Sequence, residues 1–213
     1  MASPLIEFPL PAWPREVFPF EPPHGYFRRL AAINHQVSAR TLADYVGVNG
    51  RNVAPDEMLS FCESFPARQK HFLADANPMF EGDRVVLNGQ SFSRLWDYSL
   101  AQPRVCLSCL DEQNYHRNWF DLAILRCCPI HRQPLRHSLV GERIQWWHTE
   151  LRPVGLGLTD ADVDAGDEFD SAAWEHYVLG RMGVVERRDV DFIDDECMRD
   201  IVQVAVQLGR AVE

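Results

Sequence analysis

The sequence predicts a mainly α-helical protein with a small zinc-finger-like module, a short β-hairpin and a helix-turn-helix-like N-terminal part. Three observations support this fold class. Several short segments repeat apolar residues at three- and four-residue spacing, which indicates amphipathic helices. Asn88-Gly89 separates two short strand-like runs, and this dipeptide favours a tight hairpin. Two pairs of metal-ligand residue types lie between Arg104 and His131.

The length and charge of the chain restrict its class. Its 213 residues suit one large domain or two small ones. We expect a cytoplasmic protein without a membrane segment, because no apolar run is long enough to cross a bilayer and no signal peptide is apparent. Residues 159–213 hold 5 basic and 15 acidic residues, whereas residues 1–158 hold 16 of each. This acidic end disfavours phosphate and suits either a solvated surface or a basic protein partner.

Residues 1–23 are predicted to form a proline-rich extended arm. Seven prolines interrupt this stretch, and proline is excluded from helix interiors and central strands. Apolar side chains such as Trp13, Val17 and Phe20 lie between them. We therefore expect the arm to cover a surface, either of its own domain, which is favoured, or of a partner, rather than to extend into water.

Residues 24–100 are predicted to form a helical part. The segment GYFRRLAAINH has helical spacing, and Ser38 can cap ARTLADYVGV, which Gly47 can end. This pair suggests a helix-turn-helix, although an ordinary helical hairpin has the same pattern. PDEMLSFCESF and ARQKHFLADA predict two further helices. The hairpin at Asn88-Gly89, with a type I′ turn, completes this part.

Residues 101–150 are predicted to form a zinc-binding module. Cys106 and Cys109 make a Cys-x2-Cys pair, and Cys128 and His131 make a Cys-x2-His pair. Two close pairs supply the four tetrahedral ligands of one structural zinc ion, with no position left for a substrate. Cys127 could replace Cys128, and the histidines at 116 and 137 could also compete. The spacing between the pairs predicts one connecting helix that buries Trp119.

Residues 151–213 are predicted to form an acidic loop and C-terminal helices. The stretch TDADVDAGDEFD is rich in acid and poor in apolar residues, and it lacks the glycine and glutamate positions of an EF-hand loop. SAAWEHYVLGRMGV and DDECMRDIVQVAVQLGRAV restore helical spacing. We expect Cys62 and Cys197 to serve as packing residues.

Two segments of the chain resemble the TniQ-domain proteins of bacterial transposons. The family has an early E-S-x-x-S/G-W/Y-x-x-R-L-A-x-x-N motif, matched by EPPHGYFRRLAAINH from Glu21 to His35. Its later motif, R-x-C-P-x-C-L-x-x-D/E…Y-x-R-x-x-W-x-L…C-P-x-H-x-x-x-L, is matched by RVCLSCLDEQNYHRNWFDLAILRCCPIHRQPL from Arg104 to Leu135. The order and spacing of the motifs agree, so the resemblance covers roughly residues 20–135.

The resemblance also implies which cysteine binds the metal. The family ligand precedes a proline, which makes it Cys128 rather than Cys127. Leu107 replaces the usual proline after the first cysteine, and the second Cys-x2-Cys pair of many relatives is missing. The long C-terminal extension of TnsD-like relatives, which recognises a specific DNA site, is missing as well.

The function that the resemblance implies is a non-catalytic adaptor for choosing transposition target sites. Such adaptors link DNA or a CRISPR guide complex to an AAA+ transposition ATPase, and a homodimer is compatible with this role. The alternative is a free-standing, zinc-containing DNA-binding transcriptional regulator. A zinc hydrolase is disfavoured because the predicted site has no open coordination position.

Two groups of arginines are candidates for contacting nucleic acid or a partner. Arg28, Arg29, Arg40 and Arg51 belong to the helix-turn-helix-like part. Arg117, Arg132 and Arg136 make the zinc module locally basic, together with two more arginines at 126 and 143. The arginines of the helix-turn-helix-like part are also explained as ordinary solvated surface residues. The zinc module is the better candidate for a nucleic-acid face.

Overall fold

The computed structural model describes residues 10–48, 55–139, 142–143, 145–149, 171–187, 189–190 and 193–212. The predicted arm residues 1–9, Arg51 and most of the predicted acidic loop lie outside these ranges. The helices are α1 Pro23–Ile33, α2 Ala39–Val46, α3 Pro55–Glu63, α4 His71–Asp75, α5 Leu107–Glu112, α6 Ser171–Arg181 and α7 Met198–Val212. The strands are β1 Met79–Glu81, β2 Arg84–Leu87, β3 Gln90–Ser93, β4 Ser138–Leu139 and β5 Glu142–Arg143, with a 3₁₀ helix over Asn118–Asp121. No described helix is both long enough and apolar enough to span a bilayer.

The predicted helices of the N-terminal part are present with shifted ends, and α2 begins and ends at the predicted residues. Ser38 precedes α2, and its side chain accepts a hydrogen bond from the backbone N–H of Thr41. Gly47 ends α2 with a φ of 78°, a left-handed conformation that glycine adopts without a steric penalty. Helix α1 contacts α2, α3 and α4. The helix-turn-helix interpretation of α1 and α2 stays a prediction.

One of the two apolar clusters lies among these N-terminal helices, and we call it the N-terminal cluster. Its largest members are Tyr26, Phe27, Leu30, Leu42, Met58 and Leu73. The described part of the arm packs on it, since Val17 is fully buried and Leu10 and Trp13 contact the cluster. Tyr26 also donates a hydrogen bond of 2.9 Å to the carbonyl of Pro14. These contacts agree with an arm that covers its own domain.

The predicted hairpin is present and belongs to a three-stranded antiparallel sheet of order β1-β2-β3. Asn88 and Gly89 have φ values of 48° and 75°, as a type I′ turn requires. The sequence did not predict β1, which is only three residues long. The sequence places the hairpin in the same predicted part as the N-terminal helices. In the structure, its buried residues Val85 and Phe92 pack instead with the cysteine segment, in the other apolar cluster.

That other cluster, the metal-module cluster, joins the sheet to the cysteine segment and to the C-terminal helices. It contains Val85, Leu87, Phe92, Cys106, Cys109, Trp119, Phe120, Leu122, Cys128, Val178 and Met198, among others. Helix α7 contacts β3. Arg199 of α7 and Asp83 form an ion pair of 2.6 Å beside the sheet.

The predicted single helix between the two ligand pairs is not formed. Helix α5 ends at Glu112, and Gln113 has an extended backbone with φ −156° and ψ 108°. The only helical turn that follows before Cys128 is the 3₁₀ helix over Asn118–Asp121. The backbone N–H of Asn118 donates to the carbonyl of Phe20 at 2.8 Å instead of to a helical partner. Tertiary contacts therefore override the helical spacing, although Trp119 is fully buried as predicted.

Candidate metal centre

The four predicted ligand residues lie together at one end of the metal-module cluster. Cys106 immediately precedes α5 and Cys109 lies within it, so one turn of chain carries both thiols. Cys128 and His131 flank a tight turn. The three cysteines are fully buried, and the His131 side chain is 16% exposed. All four ligand atoms lie within 4.8 Å of one another.

The distances between these atoms fit a tetrahedral ion. His131 Nδ1 lies 3.5 Å from Cys106 Sγ, 3.3 Å from Cys109 Sγ and 3.6 Å from Cys128 Sγ. Cys109 Sγ and Cys128 Sγ are 3.7 Å apart. Tetrahedral zinc with ordinary bond lengths would separate two sulfurs by about 3.8 Å and a sulfur and a nitrogen by about 3.6 Å. The cluster could therefore hold a metal ion through four protein ligands.

Backbone hydrogen bonds fix the turn that carries Cys128 and His131. The N–H of Arg132 donates to the carbonyl of Cys128 at 2.7 Å, and the N–H of Cys128 donates to the carbonyl of Gln133 at 2.8 Å. Arg132 has a φ of 52°, which reverses the chain. The N–H of His131 points at Cys128 Sγ from 3.5 Å. These hydrogen bonds place Cys128 and His131 on one turn.

The second nitrogen of His131 has its own partner. Its Nε2 lies 2.9 Å from Oε1 of Glu112, and this hydrogen bond raises the pKa of His131. A carboxylate on the outer nitrogen sets the ring tautomer and directs Nδ1 at the metal position. Sequence analysis did not identify Glu112, although it lies only three residues after Cys109.

Hydrogen bonds among the three thiols shift their pKa values in opposite directions. Bonds first from Cys109 and then from Cys128 lower the pKa of Cys106, whereas bonds with Cys106 and Cys128 raise the pKa of Cys109 far above its usual value. Thiolates are the metal-binding form of cysteine.

The structure places the alternative ligands elsewhere. Cys127 is half-buried, and its backbone N–H donates to Oε1 of Glu175 at 3.2 Å. Its sulfur is not part of the four-residue group. His137 is exposed, and His116 belongs to a different group. The geometry thus agrees with Cys128 as the ligand that the family motif implies.

A second buried group consists of His24, His116 and Asp121. The Nε2 atoms of His24 and His116 each lie 3.0 Å from a different oxygen of Asp121, and the three residues are at most 2% exposed. Burial is the main reason why the pKa of His116 is lowered to about 4. Sequence analysis missed this group because its members come from distant segments with no shared motif.

Two of the candidate binding arginines are buried, which corrects the expectation for them. Arg28 is 2% exposed, and burial lowers its pKa to about 9. Arg117 is 7% exposed, its guanidinium stacks over Tyr115 at 4.3 Å, and it donates to the carbonyl of Cys109 at 3.2 Å. Because neither side chain reaches the surface, neither is placed to contact a phosphate.

The other candidates differ in accessibility. Arg29 forms a bidentate ion pair with Glu21, with distances of 2.7 and 2.6 Å. Arg40 is half-buried beside the ring of Trp147 at 5.9 Å. Arg136 is half-buried, whereas Arg132 is exposed. Among the candidate arginines that the structure describes, Arg132 is exposed, as is its neighbour Arg126.

Of three comparisons with known proteins, one found a match, and it covers the residues of the candidate site. Searches against curated proteins and against solved structures found no match to this chain. The sequence model of one family, TniQ, matches residues 15–135. This range is more than half of the chain and includes α1 to α5 and all four candidate metal ligands. The chain is therefore a member of the TniQ family.

Proposed function

We propose that the protein is a non-catalytic adaptor for transposition target-site selection. In this role it links DNA or an RNA-guided complex to an AAA+ transposition ATPase. Membership in the TniQ family, whose domain is generally a non-catalytic adaptor associated with transposition, is the observation that carries the proposal. The match spans both the N-terminal helices and the metal module, so the proposal rests on the whole domain rather than on one motif.

The proposed ion is a single structural Zn²⁺ held by Cys106, Cys109, Cys128 and His131. Three thiolates and an imidazole are a ligand set typical of structural zinc. Four protein ligands leave no position for a water molecule or substrate, which supports a structural rather than a catalytic role. Zinc binding would then contribute directly to the folding free energy of the module.

The exposed surface beside the metal centre is the proposed contact surface for the partner or nucleic acid. Ile130, in the turn between the two last ligands, is 50% exposed. Arg126 and Arg132, four residues before and two residues after it in the sequence, are also exposed. Exposed apolar and arginine side chains near the metal ligands suit an interface with a protein or a phosphate backbone, because they combine charge with apolar contact. The buried arginines at 28 and 117 take no part in it.

A binding experiment with two ligands tests the adaptor role. The zinc-loaded chain is mixed with an AAA+ transposition ATPase and, separately, with duplex DNA at two salt concentrations. We expect a complex with the ATPase, and only weak DNA binding with Kd in the non-specific range of about 10⁻⁴–10⁻⁶ M. Tight, strongly salt-dependent DNA binding without ATPase binding would favour the free-standing transcriptional regulator instead.

A pair of arginine substitutions tests the proposed contact surface. Arg132→Glu should weaken the complex about tenfold or more, because it places a negative charge beside the metal centre. Arg84→Glu is the matched control, since Arg84 is an exposed arginine on β2 outside the metal module. Equal effects of the two variants would show that total charge, not this surface, determines binding.

A further inference from the structure

Residues 115–121, which we call the linking segment, contact both the N-terminal helices and the metal module. On the N-terminal side, the hydroxyl of Tyr115 donates to the carbonyl of Pro19 at 3.1 Å. Its ring lies against Phe18 with a centroid distance of 4.8 Å. The backbone N–H of Asn118 donates to the carbonyl of Phe20 at 2.8 Å. These contacts hold the end of the arm just before α1 begins.

The same segment is fixed to the metal centre from the other side. Arg117 donates to the carbonyl of Cys109 at 3.2 Å, so it contacts the backbone of a ligand residue. Trp119 is fully buried in the cluster that contains Cys106 and Cys128. The backbone N–H of Arg104, two residues before the first ligand, donates to the carbonyl of Phe120 at 2.7 Å.

Buried polar groups join α1 to the linking segment. His24 of α1 pairs with Asp121 at 3.0 Å, and its ring meets the ring of His116 edge-on at 4.8 Å. Gly25 lies so close that a Cβ added there would be 2.9 Å from the Cβ of His116. The interior between Gly25 and His116 therefore has no room for another atom, and packed interiors with little free space resist displacement.

The group formed by His24, His116 and Asp121 resembles a second metal site, but its charge surroundings disfavour one. Buried Arg28 interacts electrostatically with both Asp121 and Glu21, and Arg29 pairs with Glu21. The charges of these two carboxylates and two guanidinium groups already sum to zero. A divalent ion between neutral imidazoles would therefore leave an excess charge of about +2 in a buried region.

The outer nitrogen of His116 also argues against a metal there. Its Nδ1 is buried without a hydrogen-bond partner, whereas metal-bound histidines almost always donate from that outer nitrogen. His116 instead places Nε2 within 3.0 Å of Asp121. His24 Nε2 and Asp121 Oδ2 lie 3.0 Å apart but are likewise buried without a hydrogen-bond partner. The charge balance is therefore the main argument against a metal, and the group is a polar contact between α1 and the metal module.

We propose that metal binding at the four-ligand centre controls the docking of α1 and the preceding arm through the linking segment. The ion fixes α5 and the turn at Cys128, these position residues 115–121, and the linking segment then holds residues 18–26. Loss of the ion would therefore loosen the linking segment and residues 18–26 together. The inference rests on the metal centre of the proposed function but not on the adaptor role.

Amide hydrogen exchange on the full-length chain tests this coupling. Exchange is measured in the zinc-loaded protein and after removal of zinc with a chelator. We expect residues 18–26 and 115–121 to exchange at least about tenfold faster without zinc, as for a local opening. Cys127→Ser should behave like the unsubstituted protein, and Cys128→Ser should behave like the zinc-free protein.

Two substitutions separate coupling from simple loss of the metal. His24→Ala removes the contact with Asp121, and the milder Tyr115→Phe removes only the hydroxyl bond to Pro19. Both should retain one zinc per chain while residues 18–26 exchange faster even with zinc bound. In both, zinc removal should change exchange of residues 18–26 by less than about twofold.

Several results would overturn the proposal. Unchanged exchange of residues 18–26 after zinc removal would restrict the effect of the ion to its own module. Equal loss of protection in α3 and α7 would indicate general unfolding rather than a route through the linking segment. Two zinc ions per chain, falling to one in His24→Ala, would make the histidine group a metal site. A different result bears on the proposed function only. If the chain did not bind the ATPase but residues 18–26 still exchanged faster without zinc, the adaptor role would be wrong and the coupling would stand.

Discussion

Gly25→Ala should destabilise the protein even though alanine is the better helix former. Gly25 lies in the first turn of α1 and faces His116, which is fully buried. The added Cβ would lie 2.9 Å from the Cβ of His116 and 3.3 Å from its carbonyl oxygen. Carbon atoms in favourable contact are about 3.5–4.0 Å apart. Either α1 or the linking segment must therefore move.

The expected magnitude follows from two opposing effects. Overpacking a buried contact costs about 1–3 kcal/mol. Replacing glycine by alanine in a helix contributes about 0.8–1.0 kcal/mol in the other direction. The net free energy of unfolding should fall by about 1 kcal/mol, with the loss concentrated where α1 meets residues 115–121.

Urea unfolding followed by circular dichroism measures this change with zinc present throughout. Ala32→Gly is the control, because Ala32 is an exposed residue of the same helix and reports helix propensity alone. It should lower the free energy of unfolding by about 0.5–1 kcal/mol. If Gly25→Ala instead stabilised the protein by a similar amount, the contact with His116 would not be tight and the reasoning would fail.

Three further predictions concern the metal centre and its neighbours. Glu112→Ala should weaken zinc binding about 10–100-fold without changing the stoichiometry, because it removes the hydrogen bond to His131. Chelator competition measures the affinity. An unchanged affinity would contradict the role of Glu112. Trp119→Ala should lower the free energy of unfolding by about 3–5 kcal/mol because it empties a fully buried site, and a loss below about 1 kcal/mol would show that the site collapses. Burial lowers the pKa of His116 from 6.5 to about 4. Between pH 6.5 and pH 4, His116 therefore binds a proton in the unfolded chain but not in the folded chain. Stability should therefore fall as the pH drops from about 6.5 to 4, by up to about 1.4 kcal/mol per pH unit, and the slope should be smaller in His116→Gln.

Local signals in the sequence predicted most of the individual elements. Ser38 and Gly47 set the ends of α2 through their own side chain and backbone conformation. Asn88 determines the hairpin with Gly89 because both residues tolerate positive φ. The four candidate metal ligands could be recognised for a similar reason, since each pair is close in sequence and only the meeting of the two pairs requires the fold.

Long-range contacts explain what the sequence did not predict. The helical spacing around Trp119 was misleading because residues 113–121 exchange helical hydrogen bonds for contacts with the arm. Arg28 was expected on a surface because helical periodicity identifies one apolar face of α1. Helical periodicity cannot reveal that the linking segment covers a second face of α1, where Asp121 lies near His24 and Arg28.

The contact between α7 and β3 has a consequence for the order of folding during synthesis. Arg199 and Asp83 are 116 residues apart in the chain, so the sheet is complete long before its covering helix exists. At about 5–20 residues per second, the ribosome needs roughly 6–24 s to pass from β3 to the end of α7. During that interval Val85 and Phe92 lack part of their native cover, which exposes the nascent chain to aggregation. A chain truncated at residue 135, where the family match ends, would keep every metal ligand yet remain permanently in this incomplete state.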